Sequence, residues 1–317
     1  MLRHAGLILI GALTCSMAGT SSAATLAAIP QIFAPGEISG SGGKNCLSFT
    51  PDGSIAVFDL GHKSNSIIVE SHRLQGSWSK PQIASFSGQW LDHDPAVSPD
   101  GSFIIFASER PATTGGKTGG SLWRVDRRGD SWSEAVRLPD SVNVTPEIYG
   151  PTISADGSVY FTRPAKDDNF HIFRSQYRDG GYQAAVQQSL GEPTTEQFDP
   201  GIAPDESFVV FVSPPLKKHT RRLFIAFRQG DHWGKADDLG DEINANNNPW
   251  GPHIGADGHT LYYTSDRSVP VTYPRSHEQA VKDLARLQSW DNGESNIWSF
   301  SLQPWLDANA AKKTPAP

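Results

Sequence analysis

Cysteine is almost missing from this chain of 317 residues: there are two, Cys15 and Cys46, and only two methionines accompany them. Cys15 sits in a leader-like N-terminus, so a mature chain keeps one thiol, which can neither close an internal disulfide nor build a thiolate metal cage. Cys46 reads as a small buried hydrophobe, and no metal or cofactor is assigned. Also missing is an apolar run of the roughly 20 residues needed to span a bilayer. Residues 7–13 are the nearest approach. With Arg3 ahead and Ser21-Ser22-Ala23-Ala24 behind, residues 1–24 read as a cleavable export signal. A periplasmic or secreted, monomeric protein follows, without membrane insertion of the mature chain. Positive charge is short as well: 27 Lys and Arg stand against 34 Asp and Glu, net −7. That makes nucleic acid an unsuitable partner. No Gly-rich loop joins a strand to a helix as a phosphate cradle, and no serine occupies a nucleophile elbow.

What is present is a repeat. LSFTPDGSIAVFD, PAVSPDGSFIIFAS, PTISADGSVYFT, PGIAPDESFVVFV and PHIGADGHTLYYTS place their aspartates at Asp52, Asp100, Asp156, Asp205 and Asp257, spaced 48, 56, 49 and 52 residues apart. Asp-Gly is a tight-turn signal. The run behind it is continuously apolar, as in Phe103-Ile104-Ile105-Phe106, which means a strand covered on both faces. A third strand follows in each copy. In four copies an aromatic then opens a fourth, at Trp78, Trp132, Tyr182 and Trp233. Four-stranded units of this kind bury both faces by stacking radially. An all-β fold is therefore expected: a β-propeller of five four-stranded blades forming one domain over 25–305. The segment Ile29-Pro30-Gln31-Ile32-Phe33 would complete the fifth blade, whose own text stops after three strands. A sixth blade would need a degenerate unit hidden in 268–294. Helical spacing of Val281, Leu284, Ala285 and Leu287 marks an insertion at about 275–290, and 306–317 reads as a disordered tail.

These Pro-Asp-Gly turns resemble the TolB-like repeat, a bacterial relative of WD-repeat propellers. The Trp-led strand followed by Leu-Pro or Leu-Gly and then Asn is similar to periplasmic members of that group (Trp132 to Asn143, Trp233 to Asn244). The resemblance implies an exported, usually non-enzymatic binding propeller. Ala155 and Ala256 replace the motif proline. Glu206 replaces the glycine, which predicts a wider fourth turn.

Propellers place function where equivalent loops converge, just before each innermost strand. One aligned column reads Asn45, His93, Tyr149, Phe198 and Trp250, and the next Cys46, Asp94, Gly150, Asp199 and Gly251. Equivalent geometry with unlike chemistry suits a binding mouth, and aromatics with scattered carboxylates suit a protein or glycan ligand. The candidate ligand-binding set is Asp92, His93, Asp94, Glu147, Tyr149, Glu196, Phe198, Asp199 and Trp250, with no catalytic residue assigned. In an extended strand Asp92 and Asp94 would face one way and His93 the other, which argues against a metal. Arg110, Arg163 and Arg267 recur after second strands and would suit a carboxylate clamp. The rival reading is a propeller-fold glycoside hydrolase or polysaccharide lyase using mouth carboxylates. A third is an interaction scaffold that uses a blade flank.

Overall fold

The computed structural model describes residues 29–61, 64–113, 116, 119–191, 196–214, 220–244 and 247–313. Five antiparallel sheets stand around one axis; in four of them the strands follow sequence order from the axis outward, and the fifth takes its outer strand from the start of the chain. Blade 1 runs Lys44–Phe49, Ile55–Leu60, Ile67–Leu74 and Gln82–Ile83. Blade 2 runs Asp92–Val97, Phe103–Ser108, Ser121–Arg128 and Val136–Arg137. Blade 3 has Tyr149–Ile153, Val159–Pro164, Phe170–Ser175 and Val186–Gln187. Blade 4 has Phe198–Ile202, Phe208–Ser213, Arg222–Gln229 and Asp237–Asp238. Blade 5 supplies Trp250–Ile254, Thr260–Ser265 and Asn296–Ser301, and takes its outer strand, Gln31–Ile32, from the other end of the chain. The closing register is Gln31↔Ser299 and Ile32↔Trp298.

The continuous apolar runs are explained by where the core lies. It is divided into five clusters, one at each blade-to-blade interface. Val57 and Ile68 of blade 1 meet Val97, Ile104 and Trp123 of blade 2, and Tyr160 and Ile172 of blade 3 meet Val209 and Phe211 of blade 4. Both faces of every blade thus leave water. At the closing interface Phe33 packs edge-on against Phe49, Tyr262 and Trp78, with ring centroids 5.7, 5.1 and 6.2 Å apart.

Several local expectations differ from what forms. In blades 1, 2 and 4 the outer strand is two short pieces: Trp78, Trp132 and Trp233 pair just after the hairpin, and the chain pairs again four to five residues on. The Leu-to-Asn motif has a capping role. Asn143 accepts from Leu122 N–H (2.8 Å) and donates to the carbonyls of Leu122 and Leu138, and Asn244 repeats this on Leu223. The fourth turn is not widened: Glu206 adopts φ +58°, beside +65° to +81° for Gly53, Gly101, Gly157 and Gly258. The insertion forms a helix, His277–Leu287. Of the tail expected to be disordered from residue 306, residues 306–313 belong to a further helix, Gln303–Lys313, whose Trp305 and Leu306 pack on the blade 4–5 cluster, and 314–317 lie outside the described residues. The leader, 1–24, lies outside the described residues. No described helix is long and apolar enough to cross a membrane.

Candidate functional site at the channel mouth

Each innermost strand carries the same irregularity. Its pairing with the second strand slips between Asn45 and Ser48, His93 and Ala96, Tyr149 and Thr152, Phe198 and Gly201, and Trp250 and His253. The residue that makes the bulge is left-handed in all five blades: Cys46 (φ +49°), Asp94 (+52°), Gly150 (+59°), Asp199 (+48°) and Gly251 (+54°). These five close a ring around the channel. Cys46 Sγ donates to Asp94 Oδ1 at 2.9 Å, and Asp94 Oδ2 accepts from Gly150 N–H at 2.9 Å. Asp199 Oδ2 accepts from Gly251 N–H at 3.2 Å. A Cβ on Gly150 would lie 2.9 Å from Asp199 Oδ1, and one on Gly251 2.6 Å from Cys46 Sγ, so those two positions have room only for glycine.

One rule explains the alternation. Every bulge N–H needs an acceptor from the preceding blade. Where the second strand offers a polar side chain, that group serves: Thr264 for Cys46, Asp59 for Asp94 and Thr162 for Asp199. Ala107 and Val212 occupy the matching positions in blades 2 and 4 and can accept nothing. There the bulge residue itself is aspartate and reaches forward to the next glycine.

Above this ring lies a cavity of about 710 Å³. Tyr149, Phe198 and Trp250 line it as aromatics, with His93, Arg221, Asp59, Glu109 and Asp266 supplying charge. Arg221 stacks over Phe198, 5.4 Å from the ring centroid. Burial, reinforced by the negative charge of Asp94, pushes the carboxyls of Asp59 and Asp199 up to about 6. Burial works against the charge of Asp94 too, yet His93 Nδ1 at 3.1 Å holds its carboxyl below the usual range. Burial is the largest single influence on His93 and opposes its charge, but Asp94, Asp59 and Glu109 together outweigh it and raise the imidazole to about 9. Burial and the surrounding carboxylates push the Cys46 thiol well up, so it stays protonated. Cys46, Asp59 and Asp94 bring a sulfur and two carboxylate oxygens within 4.8 Å of one another.

Of the nine residues singled out from the sequence, His93, Asp94, Tyr149, Phe198, Asp199 and Trp250 meet at this cavity. Asp92 does not: it is fully buried, paired with Arg110 Nη2 at 2.7 Å and accepting from Ser87 and Ser108. Glu147 and Glu196 are absent from the lining as well; Glu147 is exposed, and the Glu196 backbone carbonyl accepts from Ser213. The expected alternation fails at His93 because Asp94 is left-handed, which turns both side chains toward each other. The three recurring arginines form no clamp. Arg110, Arg163 and Arg267 each lie over an aromatic ring of their own blade, Trp123, Phe173 and Trp298. Asp59, Glu109, Arg221 and Asp266 escaped the sequence reading because they lie near the end of a second strand, just after one or just before a third, outside the aligned columns.

No family model matches the sequence, and no curated protein matches it. Solved structures do. A putative TolB from Agrobacterium tumefaciens superposes with a TM-score of 0.50 at 13% identity, over 82% of this chain and 90% of that one. A thermostable family-43 glycoside hydrolase gives 0.52 at 10% identity, over 74% and 86%. TolB from Acinetobacter baumannii gives 0.48 at 13% identity over 70% of this chain, which spans 49% of that protein's length. At such identities the likeness is one of fold, and it includes both a TolB and a hydrolase.

Proposed function

We propose that this is an exported, monomeric, non-catalytic propeller whose channel mouth binds a glycan. The observation that carries the reading is the 710 Å³ cavity with Tyr149, Phe198 and Trp250 on its walls and carboxylates at its floor. Small-ligand sites occupy about 300–1,000 Å³, a better match to a few sugar rings than to a protein surface. Aromatic faces take the apolar side of a sugar ring, and carboxylates accept its hydroxyl protons. Asp94 and Asp199 already hold neighbouring backbone N–H groups, a structural duty that favours binding over turnover.

The test is calorimetric titration of the chain lacking residues 1–24 with a panel of neutral oligosaccharides. At least one should bind saturably, and Trp250→Ala should weaken it about tenfold, equivalent to about 1.4 kcal/mol. If the whole panel fails to bind, or if Trp250→Ala changes nothing, the reading is wrong.

One observation favours hydrolysis instead. Asp94 is held ionised while Asp199 is pushed up to about 6, the division of roles that a glycosidase needs between base and acid. Release of reducing ends that Asp94→Asn or Asp199→Asn abolishes would establish that reading in place of the first.

A further inference from the structure

On the face opposite the mouth, beyond the Asp-Gly turns, a second cavity of about 510 Å³ lies between blades 3 and 4. The molecule as a whole carries a net charge of −7, yet this groove is lined by Arg174, Arg178 and Arg228 together with Gln176, Gln183 and Gln188, and by one acid, Asp231.

Arg174 and Arg228 are held in place by the one replacement of the turn glycine. Glu206 keeps the left-handed backbone that glycine adopts in the other four turns, a conformation disfavoured for any residue with a Cβ. Its carboxylate binds Arg174 Nε of blade 3 at 2.8 Å and Arg228 Nη2 of blade 4 at 3.0 Å. Asp156 adds a contact to Arg174 Nη2 at 3.2 Å. Arg174 also lies over the Tyr160 ring, 5.7 Å from its centroid, and Arg228 over Trp233 at 4.3 Å. Trp233 in turn donates to Gln188 Oε1 at 3.2 Å. Arg174 Nη1 and Arg228 Nε and Nη1 meet no acceptor among the described residues. A strained residue that fixes two guanidiniums side by side, with N–H groups to spare, is an outlier that points to a ligand.

We infer that this groove is a second binding site, separate from the mouth, for the carboxylate of an acidic saccharide. Guanidiniums pair with a carboxylate through charge-assisted hydrogen bonds. Gln176, with both a donor and an acceptor, and Gln183 Oε1, whose amide nitrogen already donates to the Arg178 and Gly181 carbonyls, match the hydroxyls around such a carboxylate.

The test titrates the chain lacking residues 1–24 with glucuronate, glucose and inorganic phosphate. Glucuronate should bind with one-to-one stoichiometry, with glucose and phosphate each at least about tenfold weaker. Arg228→Gln should weaken glucuronate about tenfold. Arg178→Gln should weaken it severalfold, and since that side chain is 63% exposed and its one ion pair is with the exposed Asp179, the fold does not depend on it. Trp250→Ala, at the mouth, should leave glucuronate affinity unchanged. Absence of saturable glucuronate binding, or affinity untouched in both arginine variants, would overturn the inference. So would phosphate binding as tightly as glucuronate, or loss of glucuronate binding in Trp250→Ala.

Discussion

His93 faces Asp94 across 3.1 Å at the channel floor, and its folded pKa of about 9 stands above the ordinary 6.5. A raised histidine stabilises the fold fully below pH 6.5, and that contribution is lost as pH rises through about 9. His253 works in the other direction. Burial alone pushes it down to about 4, so its contribution is present above 6.5 and lost as pH falls through about 4. Asp59 and Asp199, raised to about 6 from 3.8, lose theirs as pH rises through about 6, below the window in which His93 acts. The melting temperature should therefore decline between pH 6.5 and 9, and His93→Gln should flatten that decline. A variant with the same alkaline slope as the parent would disprove the assignment. The Cys46-Asp94-Gly150-Asp199-Gly251 column was legible as a column from the repeat alone. Its logic was not, because it depends on whether the preceding blade's second strand offers Thr264, Asp59 or Thr162, or only Ala107 or Val212.

The helix His277–Leu287 shows how an element can be read correctly and its orientation missed. Val281, Leu284 and Leu287 recur at helical spacing, yet they are about half exposed, while Asp283 is 2% exposed. Asp283 accepts from Arg275 Nη1 at 2.8 Å, Arg286 Nη2 at 2.5 Å and Gln279 Nε2 at 2.9 Å. This polar network lies within the insertion itself, tying the helix to its own lead-in at Arg275, and the apolar stripe is turned to solvent. Leu284→Ser should thus change stability by less than about 0.5 kcal/mol, as a surface substitution does. Asp283→Ala removes the acceptor that Arg275 and Arg286 share and should be the more destabilising of the two. Urea denaturation of the two variants measures both. A larger loss for Leu284→Ser than for Asp283→Ala would mean that the stripe is buried in solution. Periodicity identifies a helix because it reflects the 3.6-residue turn, but it does not say which side meets the rest of the protein.

At the scale of the whole molecule, stability resides in the five interfaces between blades, and a ring is only as strong as its closure. Gln31–Ile32 pairs with Asn296–Ser301, Phe33 N–H donates to Ile297 O at 2.8 Å, and the Phe33 ring joins the blade 1–5 cluster. Removal of residues 25–36 strips the outer edge from blade 5 and opens that cluster, and should lower the melting temperature by many degrees. A truncated chain with an unchanged melting curve would show that the ring closes without its N-terminal strand.

The amino-acid sequence by itself determined the architecture. Asp-Gly turns, a period near 50 residues and strands apolar on both faces have one economical solution, and the missing fourth strand of the last copy could be matched to the first residues of the fold. Those signals are local, and repetition makes them legible. Only the tertiary structure decided the site: that Asp92 is buried against Arg110, that Asp59 and Arg221 enter the mouth, and that Glu206 gathers arginines from two blades. The first depends on how two strands of one blade pair, and the other two on the rotation of one blade against the next. Together they join residues 18 to about 160 positions apart, which the turn-and-strand pattern of the repeat does not record.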